Sequence, residues 1–186
     1  MPDPNKRALL VIDVQMEYFT GKLPVTHPAG HFEHILEAID AARAHGVPLV
    51  VVQHSSSRPG ASTFLKGSPG WPLHPAIERR GWDHYVEKNL PGAFTGTDLE
   101  IWLARRDIGT VVISGYMTQM CCDTTARQAR HLGLDVEFLA DATGTLAIAN
   151  QAGSVSAEAL HRAILVTQQM VFATVLTVEA WIARLA

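Results

Sequence analysis

Apolar residues along this chain fall into short, nearly continuous runs separated by segments of helical period. Ala8–Val14, Val47–Gln53, Thr110–Ser114, Asp135–Ala140 and Val171–Leu176 are mostly apolar with little alternation, and His84–Lys88 is a shorter strand candidate. Unalternating runs of this length predict strands covered on both faces, as in parallel sheets. Between them, Phe32–His45 places Ile35, Leu36, Ile39 and Ala42 on one helical face and closes at Gly46. Further helices are predicted over Asp98–Arg106, over Cys121–Leu132 with Gly133 at its end, over Ser156–Met170, and over Val178–Leu185 with Thr177 as cap. The stretch from His54 to Asp83, rich in Ser, Gly and Pro, carries neither period and predicts a long loop, a length that in compact domains commonly serves function. Strand and helix alternate throughout. The expected fold is α/β: three αβα layers around a mostly parallel, doubly wound sheet of about six strands, with residues 1–186 as one domain.

Composition narrows the partners. With 186 residues and 47% apolar content the chain can bury a single core. Lys plus Arg at 15 against Asp plus Glu at 18 leaves a net charge of −3, and no basic stripe or aromatic ladder suggests nucleic acid. The opening MPDPNKRALLVIDVQ has its apolar run stopped by Asp13, too short for a signal-peptide core, and no apolar stretch is long enough to span a membrane. Cys121 and Cys122 are adjacent, a spacing at which a disulfide would be strained, so they point to a reducing compartment and a cytoplasmic protein.

The candidate chemistry lies where strands lead into helices, the side on which open parallel sheets bind ligands. In TVVISGYMTQMCCDTTARQ, from Thr110 to Gln128, a strand passes through Gly115 and a short turn into a helix whose first turn carries Cys121. Unpaired N–H groups and the helix dipole at such a start favour thiolate, and can bring a cysteine pKa from about 8.5 to roughly 3.5–7.5. Asp13 ends the first strand and Lys88 the third. Each residue alone has an ordinary structural reading: a turn cap, a surface charge, a small core side chain. Together, an acid, an ammonium and a thiol at equivalent ends of neighbouring strands point to a cysteine enzyme.

These segments carry a family resemblance. LLVIDVQMEYF around Asp13, GSPGWPLHP from Gly67 to Pro75, EKNLPGAFTGTDL from Glu87 to Leu99 and SGYMTQMCCDTTARQA from Ser114 to Ala129 occur in the order found in isochorismatase-like cysteine hydrolases. That group includes nicotinamidases, N-carbamoylsarcosine, ureidoacrylate and biuret amidohydrolases and streptothricin hydrolase. The resemblance covers nearly the whole chain, Ala8 through Ala140 at least, and implies the isochorismatase-like hydrolase fold. It implies a catalytic triad at Asp13, Lys88 and Cys121, with Cys122 in a slot for a small apolar residue. It also implies a non-prolyl cis peptide at Tyr116-Met117, aiming the Met117 and Cys121 N–H groups at one point as an oxyanion hole. The implied substrate is a small amide or ureido compound cleaved through a thioacyl-enzyme, and the implied assembly is a homo-oligomer, dimer or tetramer. Gln15, Gln53, Trp71, Phe94 and Tyr116 are the candidate pocket residues.

No cofactor and no metal are expected. Nicotinamidases of the family carry an Asp two residues before a metal-binding His, whereas this chain reads Val52-Gln53-His54-Ser55. His54 and His74 remain candidates for a pocket or metal role. Other readings stay open: an isochorismatase that protonates a vinyl ether and needs no thiol, or a redox or binding protein that uses Cys121 alone. Dinucleotide binding is poorly supported, since the turn after the first strand has no glycine before Gly21.

Overall fold

The computed structural model describes residues 3–185. Its centre is a six-stranded sheet of β1 (Asp3–Ile12), β2 (Leu49–His54), β3 (His84–Lys88), β4 (Ile108–Tyr116), β5 (Asp135–Gly144) and, at the far edge, a short strand Thr174–Leu176. Every pairing is parallel, in the order β3-β2-β1-β4-β5 and then the edge strand. From β1 the chain winds to one side through β2 and β3, then returns to place β4 on the other. The strand order therefore reverses between β1 and β4, and a crevice opens at their carboxyl ends.

Alternate residues of each strand feed opposite faces, so unbroken apolar runs build two cores. Leu10, Ile12, Val50, Val52, Val111 and Ile113 pack on one face under helices at Leu99–Ala104 and Asp123–His131. Leu9, Val11, Leu49, Val51 and Val112 pack on the other under His31–Ala44 and Val178–Ile182, where Ile35, Ile39 and Trp181 are fully buried. The three-layer αβα fold read from the sequence is the observed one.

Three local features differ from the expected elements. The helix Ala157–Thr167 runs into a wider helical turn, Gln168–Phe172, so the strand expected over Val171–Leu176 keeps only three residues. Buried Gln168 causes this: its Nε2 donates to Asp123 Oδ1 at 2.8 Å and holds the chain in the helix. A hairpin of Ile148–Asn150 and Gly153–Val155 went unread because it is largely exposed and shows no apolar alternation; Asn150 Oδ1 accepts from the Ala152 N–H at 2.8 Å across its turn. Within the long loop, Pro75–Glu78 is a single helical turn capped by His74.

Gly115 lets β4 approach β1. Its φ is +109°, and a Cβ there would lie 2.0 Å from the Ile12 carbonyl oxygen, a backbone atom that no rotamer change can move. Gly115→Ala is therefore expected to cost about 4 kcal/mol or more and to lower the melting temperature by about 10 °C. Calorimetry showing a melting point within about 2 °C of the parent would contradict this reading.

Candidate active site

Asp13 leaves β1 in the left-handed region, with φ of 52°, which costs energy for a residue with a side chain and is held here by backbone bonds. Its N–H donates to the Val52 carbonyl at 2.9 Å and its own carbonyl accepts from the Gln15 N–H at 2.8 Å. The turn delivers the carboxylate to Lys88, which reaches the same point because β3 stays in register with β2, His54 opposite Lys88. Lys88 Nζ lies 2.7 Å from Asp13 Oδ2, and both side chains are fully buried. The other carboxylate oxygen, Oδ1, is buried with no hydrogen-bond partner among the described residues.

The third group arrives from β4. The Tyr116-Met117 peptide is cis, and Thr118–Cys122 forms a widened, π-type helical turn before the α-helix Asp123–His131. Cys121 thus sits in the wide turn rather than in the first turn of an α-helix, as the sequence pattern suggested; such turns recur at functional sites. Its Sγ accepts from Lys88 Nζ at 3.3 Å. The same ammonium lies 3.4 Å from His54 Nδ1. An ammonium has three protons and no acceptor, so Asp13, Cys121 and His54 use all three, and the imidazole proton of His54 must sit on Nε2.

This arrangement overturns one expectation. Burial first, and then the charge of Asp13, push the Cys121 thiol well above its ordinary range, and Lys88 only partly opposes them. The resting group is a thiol, because desolvation outweighs the single cation. For Lys88 the balance is reversed: burial disfavours the ammonium, but Asp13 and Cys121 together raise its pKa. Burial and then Lys88 lower His54, keeping it neutral. The alkylation rate of Cys121 by iodoacetamide should therefore keep rising with pH beyond the free-thiol value of about 8.5. A rate that levelled off below about pH 7 would show a preformed thiolate instead.

Cys121 opens on a cavity of about 800 Å³, walled by Tyr18, His54, the segment from Ser56 to Phe64, Asn89 to Pro91, and Met117 and Met120. The long loop does line the site. None of the five pocket residues expected from the sequence lines this cavity. Gln15 accepts from the His54 N–H at 2.9 Å and donates to the carbonyls of His54 and Trp71 at 3.0 and 2.7 Å. Gln53 donates to that same Trp71 carbonyl at 2.8 Å and accepts from the Tyr85 hydroxyl at 2.7 Å. Trp71 Nε1 donates to Ser55 Oγ at 2.8 Å. These three brace the loop behind the site, since their polar groups are consumed by backbone and neighbours. Tyr116 is fully buried, its hydroxyl 2.6 Å from His31 Nδ1. Phe94 lines a separate surface cavity with Arg127 and Leu132. Cys122 is core, fully buried against the sheet.

Of the two histidines, only His54 reaches the site. His74 accepts from the Ala76 N–H at 3.2 Å and packs its ring on Phe19 and Phe32. Among the described residues no group of three or more His, Cys, Asp or Glu side chains is placed to hold a metal. Tyr18, Asn89 and Met120 were missed; Tyr18 lies in the quoted Asp13 segment, but nothing in a local pattern says which of its side chains turns inward.

An αβα protein with an acid, an ammonium and a thiol gathered at its topological switch point is built as a hydrolase. The family model for the Isochorismatase domain matches residues 7–180. The chain belongs to the isochorismatase family. An isochorismatase-like protein of Burkholderia xenovorans LB400 superposes with a TM-score of 0.93 at 50% identity, covering 97% of this chain and 87% of that one. The isochorismatase family protein YddQ of Bacillus subtilis (strain 168) is 31% identical over 94% of this chain and 98% of its own length. Nicotinamidase 3 of Arabidopsis thaliana is 32% identical over 77% of this chain and 76% of its own.

Proposed function

We propose that this protein is a cysteine hydrolase that cleaves an amide-type C–N bond of a small molecule through a thioacyl-enzyme. The observation that carries this reading is the one ammonium, Lys88, bonded at once to the Asp13 carboxylate and the Cys121 sulfur beside an open cavity. The amide chemistry of a related nicotinamidase supports the choice of bond.

In the proposed reaction Asp13 takes the Cys121 proton as sulfur attacks the carbonyl carbon, so no free thiolate has to persist in the buried site. The carbonyl oxygen becomes an oxyanion held by the Met117 and Cys121 backbone N–H groups. Asp13 returns the proton to the nitrogen, the C–N bond breaks, and ammonia or an amine leaves a thioester on Cys121. Asp13 then takes a proton from water as hydroxide adds to the thioester; the C–S bond breaks, Asp13 returns that proton to the sulfur, and the acid departs. Lys88 holds its charge throughout, offsetting the carboxylate and orienting the sulfur. The unpartnered Oδ1 of Asp13 is the oxygen available for these transfers.

Ammonia and acid release across a panel of small amides, ureido acids and nicotinamide tests this. Turnover lost in both Cys121→Ser and Asp13→Asn is the expected result; turnover that survives Cys121→Ser rejects the nucleophile. Two free cysteines support a cytoplasmic, reducing setting. No described helix is long and apolar enough to cross a membrane. Exposed Val166, Met170 and Val171 support a homo-oligomer, dimer or tetramer, to be read by sedimentation.

A further inference from the structure

The cavity contains a hydroxyl that the proposed reaction does not use. Tyr18 follows Asp13 in a short helical turn, Met16–Tyr18, and is 4% exposed. Its ring is fixed edge-on by Tyr116 at 5.3 Å and against Phe64 at 5.2 Å. Its hydroxyl makes no hydrogen bond among the described residues. The polar side-chain atoms that are both sealed and unpartnered there are Asp13 Oδ1 and Gln168 Oε1, so the Tyr18 hydroxyl is not sealed. It opens on the cavity that it lines with Cys121. Burial, and then the nearby Cys121 and Asp13, raise the phenol well above its usual range and keep it a proton donor.

The Phe64 ring also meets a second side chain that carries a donor. His54 meets the Phe64 ring edge-to-face at 5.4 Å, and with Nδ1 turned to Lys88 its Nε2–H makes no hydrogen bond among the described residues. Tyr18, Phe64 and His54 thus make consecutive ring contacts, and all three line the cavity. Arg58 lies on the same cavity, and no Asp or Glu side chain lines it among the described residues. A cavity-facing donor with no protein partner is available to an acceptor on the ligand.

We propose that the Tyr18 hydroxyl and the His54 Nε2–H bind an acceptor group that the substrate carries beside its scissile amide. This rests on the amide-hydrolase reading and adds what distinguishes one amide from another. A neutral carbonyl and a carboxylate share this chemistry; Arg58 favours the carboxylate.

The test uses three amides of equal chain length: butyramide with no second acceptor, malonamide with a neutral carbonyl, and malonamate with a carboxylate. Ammonia release is followed for the parent, Tyr18→Phe, and Thr167→Val as a control that loses a hydroxyl away from the cavity. Tyr18→Phe removes one oxygen and keeps the ring packing. The parent should favour the acceptor-bearing amides by about ten-fold or more in kcat/KM, and Tyr18→Phe should erase most of that preference through the acceptor-bearing pair alone. Thr167→Val should keep the parental ratios. Equal ratios in parent and Tyr18→Phe, or butyramide turned over as fast as the others, would overturn the proposal while leaving Cys121-dependent hydrolysis standing. No Cys121-dependent release from any of the three, nor from the wider amide panel, would overturn the hydrolase reading and this proposal with it.

Discussion

Cys121→Ala is expected to lower kcat by at least about 10⁴-fold, whereas Cys122→Ala, one residue on, should stay within about three-fold of the parent. The contrast follows from what the two thiols touch. Cys121 faces the cavity with its sulfur 3.3 Å from Lys88 Nζ, while Cys122 is fully buried in the core under the sheet. Removing the first leaves no atom to form the thioester; removing the second trims a small apolar side chain, at about 1 kcal/mol of stability. Equal losses from the two substitutions, with folding intact by circular dichroism, would refute the assignment.

Asp13 and Lys88 should show the opposite pattern in stability and activity. A fully buried ion pair at 2.7 Å leaves an uncompensated charge when either partner is lost. Lys88→Met alone is expected to cost about 3–5 kcal/mol, and Asp13→Asn alone a comparable amount, because the surviving charge has no water to turn to. The double substitution removes both charges and should recover most of that loss, a coupling that a double-mutant cycle in denaturant measures directly. Activity should not recover, since the proton acceptor is still missing; a fall of about 10²–10⁴-fold is the expected size of an acid–base loss. Additive destabilisation would mean that water or another group compensates the lone charge. Activity restored in the double variant would mean that Asp13 only balances Lys88.

The layers and the ends of β1 and β4 were legible because unbroken apolar runs leave little choice of where a strand lies and which end meets a loop; β3, with only Tyr85 and Val86 apolar, was legible as a short candidate between loop segments. Asp13, Lys88 and Cys121 could be placed together on that basis. What could not be read depends on contacts between distant residues. Gln168 stretches a helix through Phe172 by reaching Asp123, forty-five positions away in sequence. Gln15, Gln53 and Trp71 looked like pocket walls because polar and aromatic side chains beside a site are natural ligands. Their partners are instead backbone and side-chain groups of the long loop and of β3, and no local period encodes the path of that loop. The expected low pKa of Cys121 failed for a related reason. A helix start is a local feature, whereas the burial and the Asp13 charge that oppose it come from the assembled fold.

The central claim is that Cys121 carries the acyl group. Mixing the protein with an amide that it turns over, quenching in acid within the first turnovers and mapping the peptides by mass should show the acyl mass on Cys121 and none on Cys122. Full ammonia release from a protein whose Cys121 stays unmodified at every time point, with Cys121→Ser as active as the parent, would contradict it.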